Sequence, residues 1–114
     1  MDERRRHARY PVSAPGRCLQ PGRPEGAIQV VNVSLGSLLA RGNAPFAHLK
    51  TARLRVELDV GGFECEAVCV RASEAPPWEG AFIFTRLPPE SAERLGAFLK
   101  RLGTGQGRGA AARG

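Results

Sequence analysis

Residues 51–73 read TARLRVELDVGGFECEAVCVRAS, and this stretch carries the clearest fold signal in the chain. In its first half, apolar residues alternate with charged ones at Leu54, Val56 and Leu58, and this period of two predicts a strand with one face in water. The pair Gly61-Gly62 precedes a second alternating run and indicates a hairpin turn. In that second run the face opposite the acidic side chains holds Phe63, Cys65, Ala67 and Cys69, and the acidic face itself becomes apolar at Val68 and Val70. The sequence therefore predicts a β-hairpin over residues 51–60 and 63–73.

The rest of the chain up to residue 87 also favours short strands separated by loops. The predicted strands are 12–19, 27–34, 35–42 (a tight turn that leads into a strand) and 81–87. Within the first of them, Pro15 and Gly16 suggest a bulge or an edge position. About six short strands with hairpin connections predict an all-β-dominated fold, either a six-stranded antiparallel barrel or a rolled sheet.

The end of the chain is the part with a helical pattern. In residues 88–102, an apolar stripe at helical spacing consists of Ser91, Leu95, Phe98, Leu99 and Leu102. This pattern predicts one C-terminal helix that packs across the barrel. The segment 103–114 is rich in Gly and Ala without periodicity and is predicted to be disordered. The expected organisation is a flexible basic arm (1–11), a barrel with its helix (12–102) and a disordered tail (103–114).

The net charge of +6 lies at the two ends of the chain. Residues 10–99 contain nine Lys/Arg and nine Asp/Glu, so the body of the domain is neutral. A nonspecific duplex-DNA binder presents a broad basic face, so this distribution argues against nucleic acid as the partner. It favours a small anionic ligand held by one end, with solvated termini as the plainer alternative.

The chemistry-bearing residue types point to a binding domain in the cytoplasm. The chain shows no pattern of a signal peptide and no apolar run near the roughly 20 residues of a membrane span. Three cysteines are then expected as reduced, buried thiols, and their spacing does not match a zinc module. The two histidines have no paired carboxylate or cysteine nearby in the sequence, so we expect neither a metal site nor a catalytic site.

Two short motifs carry the chemistry of an anion site. The arm contains RRHAR (5–9), in which Arg5 and Arg9 are four residues apart, and the strand over 27–34 leads into NVSLGS (32–37). Guanidinium groups bind phosphates bidentately and pair with the O6/N7 edge of guanine. Asn32 offers a donor and an acceptor, and the Ser34 hydroxyl can serve as either. An arm folded back over this polar turn would suit a nucleotide, whereas the plainer alternative is a strand-end turn in which Ser34 bonds its own backbone.

The order RxxxR, then [D/N]xSxxG, within a six-stranded barrel that ends in a helix, resembles the PilZ domain, the bacterial receptor module for cyclic di-GMP. The resemblance covers roughly residues 3–102. The stretch WEGAFIFTRLPPESAERLGAFL (78–99) is similar to the last strand and helix start of that family.

The resemblance implies a set of ligand-binding residues for cyclic di-GMP: Arg5, Arg6, Arg9, Asn32, Ser34 and Ser37. Ser37 is a departure, because it stands where the family has glycine, and Gly36 lies one place earlier. If the backbone there requires a positive φ, the β-carbon costs about 1–2 kcal/mol. If only room is needed, Ser37 is a mild obstruction or an additional hydrogen-bonding group.

Three functions follow as hypotheses. The first is a receptor whose arm is reordered by cyclic di-GMP and which then signals to a protein partner in motility or exopolysaccharide regulation. The second is an adaptor that binds a protein partner without cyclic di-GMP, which Ser37 favours. The third, nonspecific binding of nucleic acid by the two basic ends, is disfavoured by the neutral body.

Overall fold

The computed structural model describes residues 8–59 and 61–113, with side chains up to residue 102. The strands are Tyr10–Leu19 (β1), Gly26–Val33 (β2), Ser37–Gly42 (β3), Thr51–Val56 (β4), Phe63–Ala72 (β5) and Trp78–Arg86 (β6). The helix α1 spans Pro89–Arg113. The strands close into a barrel in the order β1-β2-β3-β6-β5-β4, and each neighbouring pair is antiparallel. The predicted fold class, a six-stranded antiparallel barrel with one C-terminal helix, is confirmed.

The hairpin that dominates the sequence pattern forms as β4 and β5, with Val56 opposite Phe63. The strand β4 ends at Val56 and does not extend to residue 60, because the chain turns after it and the Gly61 N–H donates to the Leu58 carbonyl at 3.0 Å. Gly61 has a φ of 115°, a conformation that only glycine adopts readily. The backbone of this turn therefore requires glycine at position 61.

The barrel interior is filled by the inward-facing residues of every strand, and α1 packs against β5 and β1. Its largest fully buried side chains include Phe63, Phe82, Leu38 and Leu54. From the helix, Leu95, Phe98 and Leu99 are buried, and the Ser91 hydroxyl accepts a hydrogen bond of 3.1 Å from the Glu64 N–H of β5. The predicted apolar stripe thus docks the helix on the barrel. The backbone of α1 continues past Leu102, where that stripe ends, and the disorder of residues 103–114 stays a prediction.

Gly16 allows the barrel to close between β1 and β4. A β-carbon on Gly16 would lie 2.5 Å from the carbonyl oxygen of Arg55, so a side chain at this position would force the two strands apart. Since β1 pairs with β2 on one side and β4 on the other, the suggested edge position at Pro15 and Gly16 is wrong. The bulge of β1 lies earlier, between Pro11 and Ala14. Gly16 is needed for close approach of two backbones.

The three cysteines are free and buried. Burial raises the pKa of Cys65 from 9.0 to about 12 and that of Cys18 from 9.0 to about 11, with smaller contributions from the charges of Glu66 and Cys69 respectively. The native state therefore keeps these protons at a pH where the unfolded chain loses them. The contribution of the protonated Cys65 thiol to the free energy of unfolding is fully present below pH 9.0. It is lost as the pH rises toward about 12, the pKa of Cys65 in the folded protein.

We expect the free energy of unfolding to fall more steeply with pH in the unaltered chain than in a Cys65→Ala variant. Between pH 8 and pH 10 the additional loss should be about 1.4 kcal/mol, the value of one pH unit for one group. Urea unfolding of both proteins at the two pH values measures it. Equal losses would mean that the Cys65 thiol ionises in the folded protein.

Candidate functional site

The start of β1 lies against the turn between β2 and β3. The two terminal nitrogens of the Arg9 guanidinium donate to different residues of this turn. Nη2 donates to Asn32 Oδ1 at 2.7 Å, and Nη1 donates to Ser37 Oγ at 2.6 Å. Arg9 is exposed, and Asn32 and Ser37 are half-buried, so the guanidinium covers the turn from the solvent side. The structure therefore brings together a residue of the first motif with two residues of the second.

Ser34 organises the turn itself. Its side chain is buried, with 2% of its surface exposed, and its hydroxyl oxygen accepts the backbone N–H groups of Gly36 at 3.0 Å and Ser37 at 3.1 Å. The Ser34 N–H donates to the Ser37 carbonyl at 2.8 Å, which closes the turn. The alternative in which Ser34 bonds its own backbone is therefore present in the structure. A contact between Ser34 and a ligand stays a prediction.

Ser37 stands at its position without backbone strain. Among the non-glycine residues that the structure describes, Leu49 is the one with a positive φ, so the β-carbon of Ser37 does not carry the cost considered above. Its hydroxyl instead accepts from Arg9 and lies 3.3 Å from the Ser34 hydroxyl. The departure from glycine adds a hydrogen-bonding group to the turn.

A β-bulge in β2 turns Asn32 toward Arg9. Alternation from Ile28 and Val30, which are buried, would place Asn32 inside the barrel. The pairing with β3 instead shifts register between Val30 and Asn32, which leaves Val31 as the additional residue and directs Asn32 outward. The strand pattern in the sequence contains no sign of this bulge.

An open cavity of about 600 Å³ lies beside this turn on the outer face of the barrel. Its polar side is formed by Arg9, Asn32, Ser34 and Ser37. Its floor is apolar, and the side chains that form it come from β3, β5 and β6: Leu39, Val70, Ala81 and Ile83. Arg71 lines the far side. Sequence reasoning missed the floor and Arg71, and the single available signal was the change from Glu64 and Glu66 to Val68 and Val70 on the outer face of β5.

The remaining predicted site residues, Arg5 and Arg6, lie outside the described residues. In the part of the chain that is described, no group of three or more His, Cys, Asp and Glu side chains is arranged to hold a metal ion. No helix there is long and apolar enough to cross a membrane.

The fold and the site together define a small closed barrel in which an arginine directly before the first strand covers a polar β2–β3 turn. The model of the PilZ domain family matches residues 3–101. The chain therefore belongs to the PilZ domain family. No match was found among curated proteins.

Solved structures of low sequence identity share this fold. The inhibitor of motility MotI/DgrA of Bacillus subtilis superposes with a TM-score of 0.75 at 17% identity, over 91% of this chain and 53% of that protein. YcgR of Escherichia coli in complex with c-di-GMP gives 0.75 at 20% identity, over 96% of this chain and 50% of YcgR. The PilZ domain of YcgR with c-di-GMP gives 0.71 at 15% identity, over 93% of this chain and 98% of that domain. The chain thus spans about half the length of MotI and YcgR and nearly all of the isolated PilZ domain.

Proposed function

We propose that this domain is a receptor for cyclic di-GMP, without catalytic activity, that acts on a protein partner in the bacterial cytoplasm. The observation that carries the proposal is the Arg9 guanidinium, held 2.7 Å from Asn32 and 2.6 Å from Ser37 at the mouth of the cavity. Membership of the PilZ family and the likeness to structures that contain c-di-GMP support the choice of ligand.

The chemistry of these side chains suits an anionic purine dinucleotide. The guanidinium of Arg9 can bind a phosphate with two parallel hydrogen bonds. Once Arg9 binds the ligand, the Asn32 amide that it now contacts becomes available to the ligand, and the buried Ser34 hydroxyl holds the backbone of the turn in place. We infer that Arg5 and Arg6 approach the ligand from the arm and complete the clamp.

In this proposal, ligand binding changes what the domain shows to a partner. Arg9 must exchange its bonds to Asn32 and Ser37 for bonds to the ligand, and the arm that precedes it is ordered around the dinucleotide. The protein partner would bind the arm in this rearranged conformation. MotI is an inhibitor of motility, and the likeness to it makes motility one candidate process for this domain, beside exopolysaccharide production.

Isothermal titration of the full chain with cyclic di-GMP, with GTP as the control ligand, tests the proposal. We expect saturable binding of cyclic di-GMP and much weaker binding of GTP. Absence of heat with cyclic di-GMP at high micromolar concentration would overturn the receptor function.

The second candidate is an adaptor that binds a protein partner without cyclic di-GMP. The observation that favours it is the Ser37 hydroxyl, which provides an acceptor for Arg9 within the protein and so stabilises the unliganded arrangement. A partner captured equally with and without cyclic di-GMP, and equally by an Arg9→Ala variant, would support the adaptor over the receptor.

We expect Ser37→Gly to leave the affinity for cyclic di-GMP unchanged or to raise it two- to tenfold. The substitution removes a hydrogen bond that the ligand has to displace, and one such bond contributes about 0.5–1.5 kcal/mol. Titration of the variant measures the change. Ser13→Gly is the matched control, because the Ser13 hydroxyl also accepts a side-chain hydrogen bond, from Gln29 at 2.7 Å, outside the cavity. A large loss of affinity in Ser37→Gly would mean that the Ser37 hydroxyl binds the ligand directly.

A further inference from the structure

A second bulge lies in β5, directly across the cavity from the bulge in β2. The inward face of β5 holds Phe63, Cys65, Ala67 and Cys69, and strict alternation would place Arg71 inside the barrel as well. The pairing with β6 instead goes from Cys69 opposite Phe82 to Arg71 opposite Ala81, and Val70 is the additional residue. As a result, Val70 and Arg71 are both exposed on the outer face.

The residues that the two bulges turn outward lie in the same row of paired residues across the sheet. Asn32 pairs with Leu39, Leu39 pairs with Ala81, and Ala81 pairs with Arg71. The row therefore crosses β2, β3, β6 and β5, with a bulge-directed polar side chain at each end. At a strand spacing of about 4.8 Å, its ends are roughly 14 Å apart along the sheet.

Between the two polar ends the floor of the cavity is apolar and open. Ile83 is 48% exposed and Val70 is 38% exposed, and both line the cavity together with Leu39 and Ala81. Such a floor suits the flat face of an aromatic base. The cationic group at its far edge would then meet the edge of that base.

We propose that Arg71 recognises the O6/N7 edge of a guanine that lies on this floor, while Arg9 and the β2–β3 turn hold the phosphate side of the same ligand. The guanidinium fork matches the two acceptors of guanine and has no match on adenine, where an amino group replaces O6. Arg71 is therefore the residue that selects the base. This inference rests on the proposed receptor function and names the group that gives it base specificity.

The experiment is a cycle of two proteins and two ligands, measured by isothermal titration. The unaltered chain and Arg71→Ala are each titrated with cyclic di-GMP and with its 7-deazaguanine analogue, which lacks N7. We expect Arg71→Ala to weaken cyclic di-GMP binding roughly tenfold and to weaken binding of the analogue much less, because the two-acceptor pairing is already broken there. Arg53→Ala is the matched control, an exposed arginine of β4 that does not line this cavity, and it should bind like the unaltered chain.

The outcomes separate this inference from the receptor function on which it rests. If the unaltered chain binds cyclic di-GMP and Arg71→Ala binds it equally well, the inference is overturned and the receptor function stands. If Arg71→Ala weakens both ligands by the same factor, Arg71 acts through charge on the phosphates and the assignment to the base edge is overturned. If the unaltered chain does not bind cyclic di-GMP, the receptor function fails first.

Discussion

Arg9→Ala should weaken binding of cyclic di-GMP by about 10- to 100-fold. The guanidinium lies at the junction of the first strand and the β2–β3 turn, and both of its terminal nitrogens donate at 2.6–2.7 Å to neutral side-chain oxygens. A phosphate would replace these oxygens with charged acceptors in the same fork. Hydrogen bonds to charged groups contribute about 1.5–3 kcal/mol, which is the basis of the expected factor.

We expect Arg9→Ala to have little effect on the stability of the folded state. Arg9 is exposed, and after its removal the Asn32 and Ser37 oxygens are accessible to water. We therefore expect the free energy of unfolding to change by less than about 0.5 kcal/mol, as for other exposed positions. Arg9→Lys should recover part of the affinity, because it restores the charge without the two-donor fork.

Arg41→Ala is the matched control for loss of one positive charge. Arg41 is an exposed residue of β3 on the same barrel, paired with Glu79 at 2.7 Å, and it does not line the cavity. Its removal should leave affinity within about twofold, since an exposed charge outside the site contributes mainly through screened long-range attraction. Equal losses in Arg9→Ala and Arg41→Ala would contradict a specific role of Arg9.

Phe82→Ala should lower the free energy of unfolding by about 3–5 kcal/mol, the usual cost of removing a buried phenylalanine. The ring is fully buried at the centre of β6 and packs edge-on against Phe46, with ring centroids 5.3 Å apart and planes at 88°. Gly80 lies beneath this pair, and a β-carbon there would come within 2.9 Å of the Phe82 ring and 2.8 Å of the Phe46 ring. Because the side chains around Phe82 are packed this closely, they cannot move far enough to fill the cavity that alanine would leave.

Urea unfolding of Phe82→Ala measures the loss in the free energy of unfolding, and Ile83→Ala is the matched control. The two residues are neighbours on one strand but lie on opposite faces, since Ile83 is 48% exposed. Ile83→Ala should cost less than about 1 kcal/mol, because the removed methyl and methylene groups are half in water already. A loss in Phe82→Ala as small as that of Ile83→Ala would contradict the packing described for the barrel interior.

The barrel was predictable because most of its strands obey a period of two. In β4 the charged side chains alternate with Ala52, Leu54 and Val56, and a strand with one face in water and one in the core produces this pattern directly. The helix was predictable for a similar reason, since the stripe that contains Leu95 and Leu99 buries one face. The ends of strands were less predictable, because β4 stops where the backbone turns and not where the alternation stops.

The candidate site was half predictable. The residues of NVSLGS are consecutive and form a turn by local bonds, so Ser34 and its backbone partners could be found from the sequence. The contact between Arg9 and this turn was inferred from a motif pair, and the structure supplies its two hydrogen bonds. Arg5 and Arg6 stay predictions, as does the binding of cyclic di-GMP by any of these residues.

The sequence by itself determined the elements that repeat a local rule: the alternation of the strands, the amphipathic helix and the Gly-Gly turn. Only the tertiary structure decided which outer-face residues surround the cavity, because two bulges shift the register by one residue and turn Asn32 and Arg71 from the inside to the outside. A bulge depends on the pairing between strands that are distant in the chain, and a one-residue shift exchanges the two faces of a strand. The alternation of residues within one strand therefore does not show where a bulge will form, because the bulge is set by the pairing of that strand with its neighbour.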